Sequence, residues 1–504
     1  MKDLDYRVRS MLGRREFVLG SAGSGVLALT GGWSRGAAAQ GPDEMRGRSF
    51  DLSIEPRAVN FTGRDRMATT INGSVPAPTL RWREGEEVTL RVTNRLADTT
   101  SIHWHGILLP WQMDGVPGLS FDGIAPGATF TYGFRVNQSG TYWYHSHSGF
   151  QEQLGMYGAL IVDPAGPDPV GADREHVVLL SDWTDEDPMR LFARLKKNGH
   201  YYNYNQRTLR DIRDDIERDG FAGNRAARRM WNQMRMTERD ISDVTGATYT
   251  YLMNGRPPGA NWTALFERGE RVRLRIINGS AMTIFDLRIP GLELTVVATD
   301  GQNVEPVTID ELRIGVAETY DVIVRPSADS AYTIFAQAID RSGFARGTLA
   351  PALGLEAAVP QLDAPPVLTM TDMGMAMSQD HAAMGHDAPA MGHDHSAMMQ
   401  GDLSMSDMPT ELPGPKAAVD MRAESPQPRY DDPGVGLRNR SWRVLTYGAL
   451  RRLEPARSMP QAGREIELHL TGNMMRYMWS MNGVRFSDAD PIELRHGETV
   501  TFAL

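Results

Sequence analysis

The sequence predicts an all-β chain assembled from tandem β domains, and three observations predict it. Fifty glycines and thirty prolines in 504 residues describe a turn-rich architecture. A turn glycine followed by alternating apolar and polar residues occurs three times: Gly85-Glu86-Glu87-Val88-Thr89-Leu90-Arg91-Val92, Gly269-Glu270-Arg271-Val272-Arg273-Leu274-Arg275-Ile276 and Gly497-Glu498-Thr499-Val500-Thr501-Phe502-Ala503-Leu504. Alternation with period two is the pattern of a half-buried strand. Each copy is preceded by an Asn-Gly turn, at Asn72-Gly73, Asn254-Gly255 and Asn482-Gly483. A supersecondary unit repeated three times, in a chain of this length, reads as three β domains.

The first element is a leader, residues 1–39. Arg14-Arg15 precedes a weakly apolar run from Phe17 to about Leu29, and Ala37-Ala38-Ala39 supplies small residues before Gln40. This is the order of an export signal, and the paired arginines point to the twin-arginine route. The apolar run is short of the ~20 residues that span a bilayer. The mature chain is therefore expected outside the cytoplasm, in the periplasm, with no membrane span. Its net charge of −10 is spread along the sequence without a basic stripe, which argues against a nucleic-acid partner.

Residues 46–166 form the first β domain. It carries two His-x-His pairs, His103-Trp104-His105 and His145-Ser146-His147. On a strand, residues i and i+2 share a face, so each pair presents two imidazoles on one side. Four imidazoles suit copper, zinc, iron or nickel, and a chain with no cysteine excludes an iron–sulfur or thiolate site within itself.

Residues 172–345 form the second domain. Eighteen residues after Gly85 lies His103, whereas the same step from Gly269 reaches Leu287-Arg288-Ile289, with no metal ligand. The second domain is thus expected to be structural at that position. At about 186–240 it contains a helical insertion, where Leu209, Ile212 and Ile216 share one face, as do Ala226, Met230 and Met234. Tyr201, Tyr202 and Tyr204 stand at its start. A packed surface excursion is the better reading of this insertion than a substrate lid.

A linker, residues 346–440, follows. Its segment 370–408 holds ten methionines and four histidines, among them Met373, Met375, Met377, His381, Met384, His386, Met391, His393, His395, Met398 and Met399. Small and polar residues fill the gaps, so no core can form there. Thioethers favour Cu(I) and imidazoles also serve Cu(II), which makes this an accessory copper tract; a passive linker or a Met-rich surface are the alternatives. The repeat Met-Gly-His-Asp at 384–387 and 391–394 favours copper. The third domain begins at 441, and the sequence as given reads as truncated inside one of its strands, before the position where its own ligands would fall.

Taken together, these residues resemble the multicopper oxidases, and among them the periplasmic copper-resistance protein A group. The resemblance is carried by His103-Trp104-His105-Gly106, Met113-Asp114-Gly115-Val116-Pro117-Gly118 and Gly140-Thr141-Tyr142-Trp143-Tyr144-His145-Ser146-His147. It continues through Asp300-Gly301-Gln302 and Ala317-Glu318-Thr319-Tyr320-Asp321-Val322, and the Met/His linker with Tyr477-Met478-Trp479-Ser480-Met481-Asn482-Gly483 narrows it to the subgroup. It implies tandem cupredoxin domains, each a Greek-key β-sandwich, the third incomplete. It also implies several coppers, with His103 on the type 2 ion and His105, His145 and His147 on the type 3 pair. Asp114 matches an acidic residue that moves protons to oxygen, although an Asp before Gly115 also suits a plain turn.

The implied activity is oxidation of Cu(I), with phenols as a secondary class, coupled to reduction of dioxygen to water. The implied partners are copper ions, dioxygen and other periplasmic copper-handling proteins. The family's remaining two copper motifs, including the Cys of the type 1 site, are not in these 504 residues, so the chain as given is expected to be inactive alone. Two other readings stand beside the oxidase: a non-enzymatic copper-sequestering protein that uses the Met/His segment, and a cupredoxin-fold pseudo-enzyme, which the intact histidines oppose.

Overall fold

The computed structural model describes residues 43–375, 419, 427–453 and 462–504. The leader with Arg14 and Arg15, and Met377, His381, Met384, His386, Met391, His393, His395, Met398 and Met399 of the tract, lie outside the described residues.

The amino-terminal part is a two-sheet sandwich of nine strands: β1 (Glu44–Arg46), β2 (Ser49–Val59), β3 (Arg66–Ile71), β4 (Ala77–Arg83), β5 (Glu87–Asn94), β6 (His103–His105), β7 (Thr129–Arg135), β8 (Gly140–His145) and β9 (Tyr157–Asp163). One sheet runs β1-β4-β9-β8-β6 and the other β3-β2-β5-β7. Parallel pairs, such as β2 with β5, alternate with antiparallel ones, such as β5 with β7, so the connections cross between sheets in Greek-key fashion. Between the sheets lie Leu52, Leu80, Trp82, Leu90, Trp104 and Tyr132, all buried. The alternation along β5 is the reason: Val88, Leu90 and Val92 face inward while Glu87, Thr89 and Arg91 face solvent.

A second sandwich follows. Its strands are β10 (Arg174–Trp183), β11 (Thr250–Met253), β12 (Trp262–Leu265), β13 (Val272–Asn278), β14 (Phe285–Arg288), β15 (Leu294–Thr299), β16 (Gln302–Ile309), β17 (Glu311–Ile314), β18 (Thr319–Val324), β19 (Tyr332–Ala338) and β20 (Phe344–Ala350). They form sheets β11-β10-β13-β18-β15-β16 and β12-β20-β19-β14-β17 around one apolar core. Residues 462–504 hold β21 (Arg464–Glu467) parallel to β24 (Val500–Ala503), and a hairpin of β22 (Leu470–Asn473) with β23 (Met478–Met481).

The internal repeat is structural as well as sequential. All three Asn-Gly turns have positive φ at both residues: 53° and 78° at Asn72-Gly73, 50° and 72° at Asn254-Gly255, and 51° and 75° at Asn482-Gly483. That is the geometry of a type I′ hairpin turn, which Asn and Gly tolerate best. In each copy the Asn side chain accepts a backbone N–H, from Ser53, Leu179 and His469, and the Asn N–H donates to the carbonyl of that same residue. The asparagine thus ties the turn to a preceding segment in every repeat.

The insertion folds as α1 (Pro188–Lys197) and α2 (Leu209–Met234). Asp187 caps α1 by accepting from the Met189 N–H, with Pro188 in the first turn, and Thr208 and Asp211 form a capping box on α2. The apolar face expected from Leu209, Ile212 and Ile216 is packed only in part: Leu209 is 86% exposed, whereas Ile216 is half-buried. Gly220, at φ 72°, breaks α2, and the burial falls on its second half, at Trp231 and Met234. Tyr202 is buried, whereas Tyr201 and Tyr204 are exposed. No helix among the described residues is long and apolar enough to cross a membrane.

At the step where the first sandwich has His103, β14 has Leu287 in the core, flanked by ion pairs. Asp286 meets Arg313 at 2.7 Å and Arg341 at 2.6 Å, and Arg288 meets Glu311 at 2.9 Å. The two sandwiches join through Trp143, Tyr157, Ala159, Leu179 and Ile277, and through buried polar contacts of Thr141 with Asp321 and Arg275.

Candidate metal centre

Strand β6 is three residues long, and its middle residue, Trp104, is buried in the core. The pleat therefore turns His103 and His105 to the opposite face. β6 pairs antiparallel with β8 in a register that sets His103 opposite His145 and His105 opposite Trp143. The two motifs thus meet across one strand pair. Ligand atoms of His103, His105 and His145 all lie within 4.8 Å of one another. His147, just past β8, has its ring centroid 5.5 Å from that of His103 and 6.0 Å from that of His145. Its backbone N–H donates to the hydroxyl of Ser101, two residues ahead of His103, which fastens one motif to the other. The sequence-predicted histidines are brought together, with His145 buried and His147 exposed.

Partners on the outer nitrogens orient the rings. His103 Nδ1 lies 2.7 Å from the carbonyl oxygen of Asp114, which leaves its Nε2 without that partner. Gly115 makes this approach possible: at φ 77° it turns the chain, and a Cβ there would lie 1.8 Å from the Ile102 carbonyl oxygen. The Asp114 carboxylate is farther from the same nitrogen, at 3.5 Å. His145 Nδ1 lies 2.7 Å from the Glu152 carboxylate and 2.9 Å from the Ser146 carbonyl oxygen. His145 Nε2 faces His105 Nδ1 at 3.4 Å. Glu152 was not among the residues singled out from the sequence; nothing in a loop position seven residues past His145 marks it.

Trp143 is the second unanticipated member. Its ring stacks on His145 at 4.1 Å and 12°, and on His105 at 5.1 Å and 29°. Its indole N–H is buried and has no protein partner among the described residues. The i, i+2 relation of Trp143 to His145 on β8 is the signal that could have found it.

Burial is the largest influence on two of the rings. It lowers the proton affinity of His103, and it pushes His105 down to about 4, with the neighbouring His145, His103 and His147 acting in the same direction. Both are therefore neutral near pH 7, the form in which an imidazole binds metal. Imidazoles converging without thiolate suit copper, zinc, iron or nickel, and a carboxylate on the outer nitrogen is the usual support of a ligating histidine. The donor set fits.

Met373 and Met375 are in the turn 369–375, which meets Arg438 through Asp372, and Leu368 just before it donates to the Glu238 carbonyl of the insertion, away from the imidazoles.

A family model described as multicopper oxidase matches residues 53–166, which include the four histidines, and another of the same description matches residues 221–356. The chain is 54% identical to the copper resistance protein A homolog of Pseudomonas syringae pv. tomato, over 97% of this chain and 86% of that protein. It is 52% identical to copper resistance protein A of Escherichia coli, over 97% and 87%. To the multicopper oxidase MmcO of Mycobacterium tuberculosis it is 34% identical, over 66% of this chain and 62% of that one.

Proposed function

Because this chain belongs to the multicopper oxidase family, we propose that it serves copper resistance in the periplasm, oxidising Cu(I) with dioxygen as acceptor and water as product. The observation that carries this reading is the convergence of the His103, His105 and His145 donors within 4.8 Å. In this reading His103 holds a type 2 copper, and His105, His145 and His147 contribute to a type 3 pair. Copper bound there supplies the electron transfer and oxygen chemistry that amino-acid side chains lack.

The chain's own residues prepare the site. The Asp114 carbonyl and the Glu152 carboxylate occupy one nitrogen each of His103 and His145, so the opposite nitrogens are the ones offered to metal. Trp143 stacks on the faces of His105 and His145 and fixes the orientation of both rings. The Asp114 carboxylate, 39% exposed and 3.5 Å from His103, is the group assigned to carrying protons between solvent and the site. The Met/His segment 370–408 gathers Cu(I) through its soft thioethers, and Arg14-Arg15 directs export by the twin-arginine route.

A second reading, copper sequestration without turnover, is favoured by the repeated Met-Gly-His-Asp alone. The two separate in one experiment, which compares oxidation of Cu(I) and of a phenol by the full-length protein and by a version lacking residues 370–408. Activity that survives the deletion supports the oxidase. Inactivity of both, with many coppers bound by the intact protein, supports sequestration.

A further inference from the structure

Two motifs of the second sandwich, Asp300-Gly301-Gln302 and Ala317-Glu318-Thr319, have no part in the imidazole cluster, yet the fold brings them to it. They close a cavity of about 270 Å³ whose opposite wall is His105 and Trp143 of the first sandwich. At about 30 Å³ per water, that volume holds several waters. Val316, 37% exposed, stands at its rim.

The lining joins apolar surface from Val316, Ala317, Tyr142 and Trp143 to a few fixed polar groups. Asp300 and Glu318 bring two carboxyl groups, and no lysine or arginine is among the lining residues. Trp143 adds a buried indole N–H with no protein acceptor among the described residues, and a donor so placed calls for water. Both carboxyls are held by backbone: Asp300 Oδ1 accepts the Thr319 N–H at 2.9 Å, and Glu318 Oε2 accepts the Gly315 N–H at 2.6 Å. Asp300-Gly301, at φ 46° and 74°, is the two-residue turn of the β15–β16 hairpin and sets the Asp300 carboxyl at the cavity wall, while Ala317, at φ 69°, is left-handed, a conformation costly for residues other than glycine.

We propose that this cavity is the passage by which water and protons reach the imidazole cluster, with Asp300 and Glu318 as its proton-holding groups. Burial raises the proton affinity of both carboxyls, and Asp300 raises that of Glu318 further. The other titratable groups around them are His105, Tyr142 and Tyr320; burial raises both phenols, so they remain neutral. The inference rests on the oxidase reading. Reduction of dioxygen to two waters consumes four electrons, drawn from Cu(I), and four protons, drawn from solvent. Each carboxyl takes up a proton that solvent delivers through the cavity water and passes it on toward the His105 side, so neither is altered over a cycle.

The test uses the copper-loaded product of the whole gene, not residues 1–504 alone. The rate at which azide binds, followed by its charge-transfer band, reports access without turnover. Val316→Trp, which narrows the rim without touching a histidine, is expected to slow azide binding at least tenfold at unchanged copper content. Asp300→Asn and Glu318→Gln keep an oxygen for the backbone N–H groups but remove the acid. They are expected to lower kcat at least tenfold and reshape its pH profile, with KM for the electron donor unchanged. Azide binding unaffected by Val316→Trp, or kcat and its pH profile unaffected in both carboxyl variants, overturns the passage while the oxidase stands. Copper that is not retained, or wild-type protein that binds copper and does not turn over, removes the oxidase reading instead.

Discussion

The carboxylate of Glu152 lies 2.7 Å from Nδ1 of His145, and the opposite nitrogen of that ring faces His105 at 3.4 Å. A carboxylate at this position holds the proton on Nδ1 and directs Nε2 inward. Glu152→Ala is therefore expected to weaken copper retention by about 10–100-fold, and Glu152→Gln by less, because its amide oxygen still accepts a hydrogen bond. Competition with a chelator measures both, and equal retention in all three proteins contradicts the assignment.

Gly115 is required by space as well as by φ. Gly115→Ala would set a methyl group 1.8 Å from the Ile102 carbonyl oxygen, and relief of that clash must move either the strand that carries His103 or the Asp114 carbonyl. A loss of about 3 kcal/mol in stability is expected, together with reduced copper content. Thermal unfolding and metal analysis of the same samples check it.

The hairpin asparagines make a graded prediction. Asn254 accepts from Leu179 N–H at 2.8 Å, donates to the Val177 carbonyl at 2.8 Å and sits at φ 50°. Asn254→Ala loses both bonds and adds backbone strain, at about 2–4 kcal/mol. Asn254→Gly loses the bonds but relieves the strain, so it should fall between wild type and alanine in denaturant unfolding. Glycine as damaging as alanine would mean that φ contributes nothing there.

Asp363 fastens the chain after the second sandwich, meeting Arg288, Gln337 and Arg440. Although burial opposes its charge, these partners hold the carboxyl at about 2, below the ~3.9 of an unfolded aspartate. The folded state thus binds fewer protons than the unfolded state, and the stabilisation is complete above about pH 4 and lost as pH falls toward 2. Asp363→Asn is expected to cost about 2–3 kcal/mol at neutral pH and nearly nothing at pH 2. A penalty independent of pH would assign the effect to packing instead.

The cysteine-free composition has a spectroscopic consequence. Copper-loaded residues 40–504 are expected to lack the intense visible band of a thiolate-bound copper, since no sulfur anion is present to donate charge. Detection of that band by absorption spectroscopy would contradict the absence of a thiolate ligand.

Much of the site was legible before folding. That His103 and His105 share a face follows from the two-residue period of a strand, and the Asn-Gly turns announced hairpins because few residues accept positive φ. The apolar spacing of Leu209, Ile212 and Ile216 misled, because a helical period says which residues align and not whether anything covers them; here Leu209 is left in solvent. Asp114 was chosen for its carboxylate, yet its backbone carbonyl makes the nearer contact with His103.

Local sequence thus determined which residues form strands, where those strands turn and which imidazoles share a side, because each of these depends on backbone geometry over a few residues. The folded chain alone decided that His103 lies opposite His145, that Glu152 returns to His145, that Trp143 stacks on two imidazoles and that Asp300 and Glu318 face His105 across a cavity. Cross-strand register and the closure of one sandwich on another are set by burial summed over many distant residues, and that sum is not written in any short stretch of sequence.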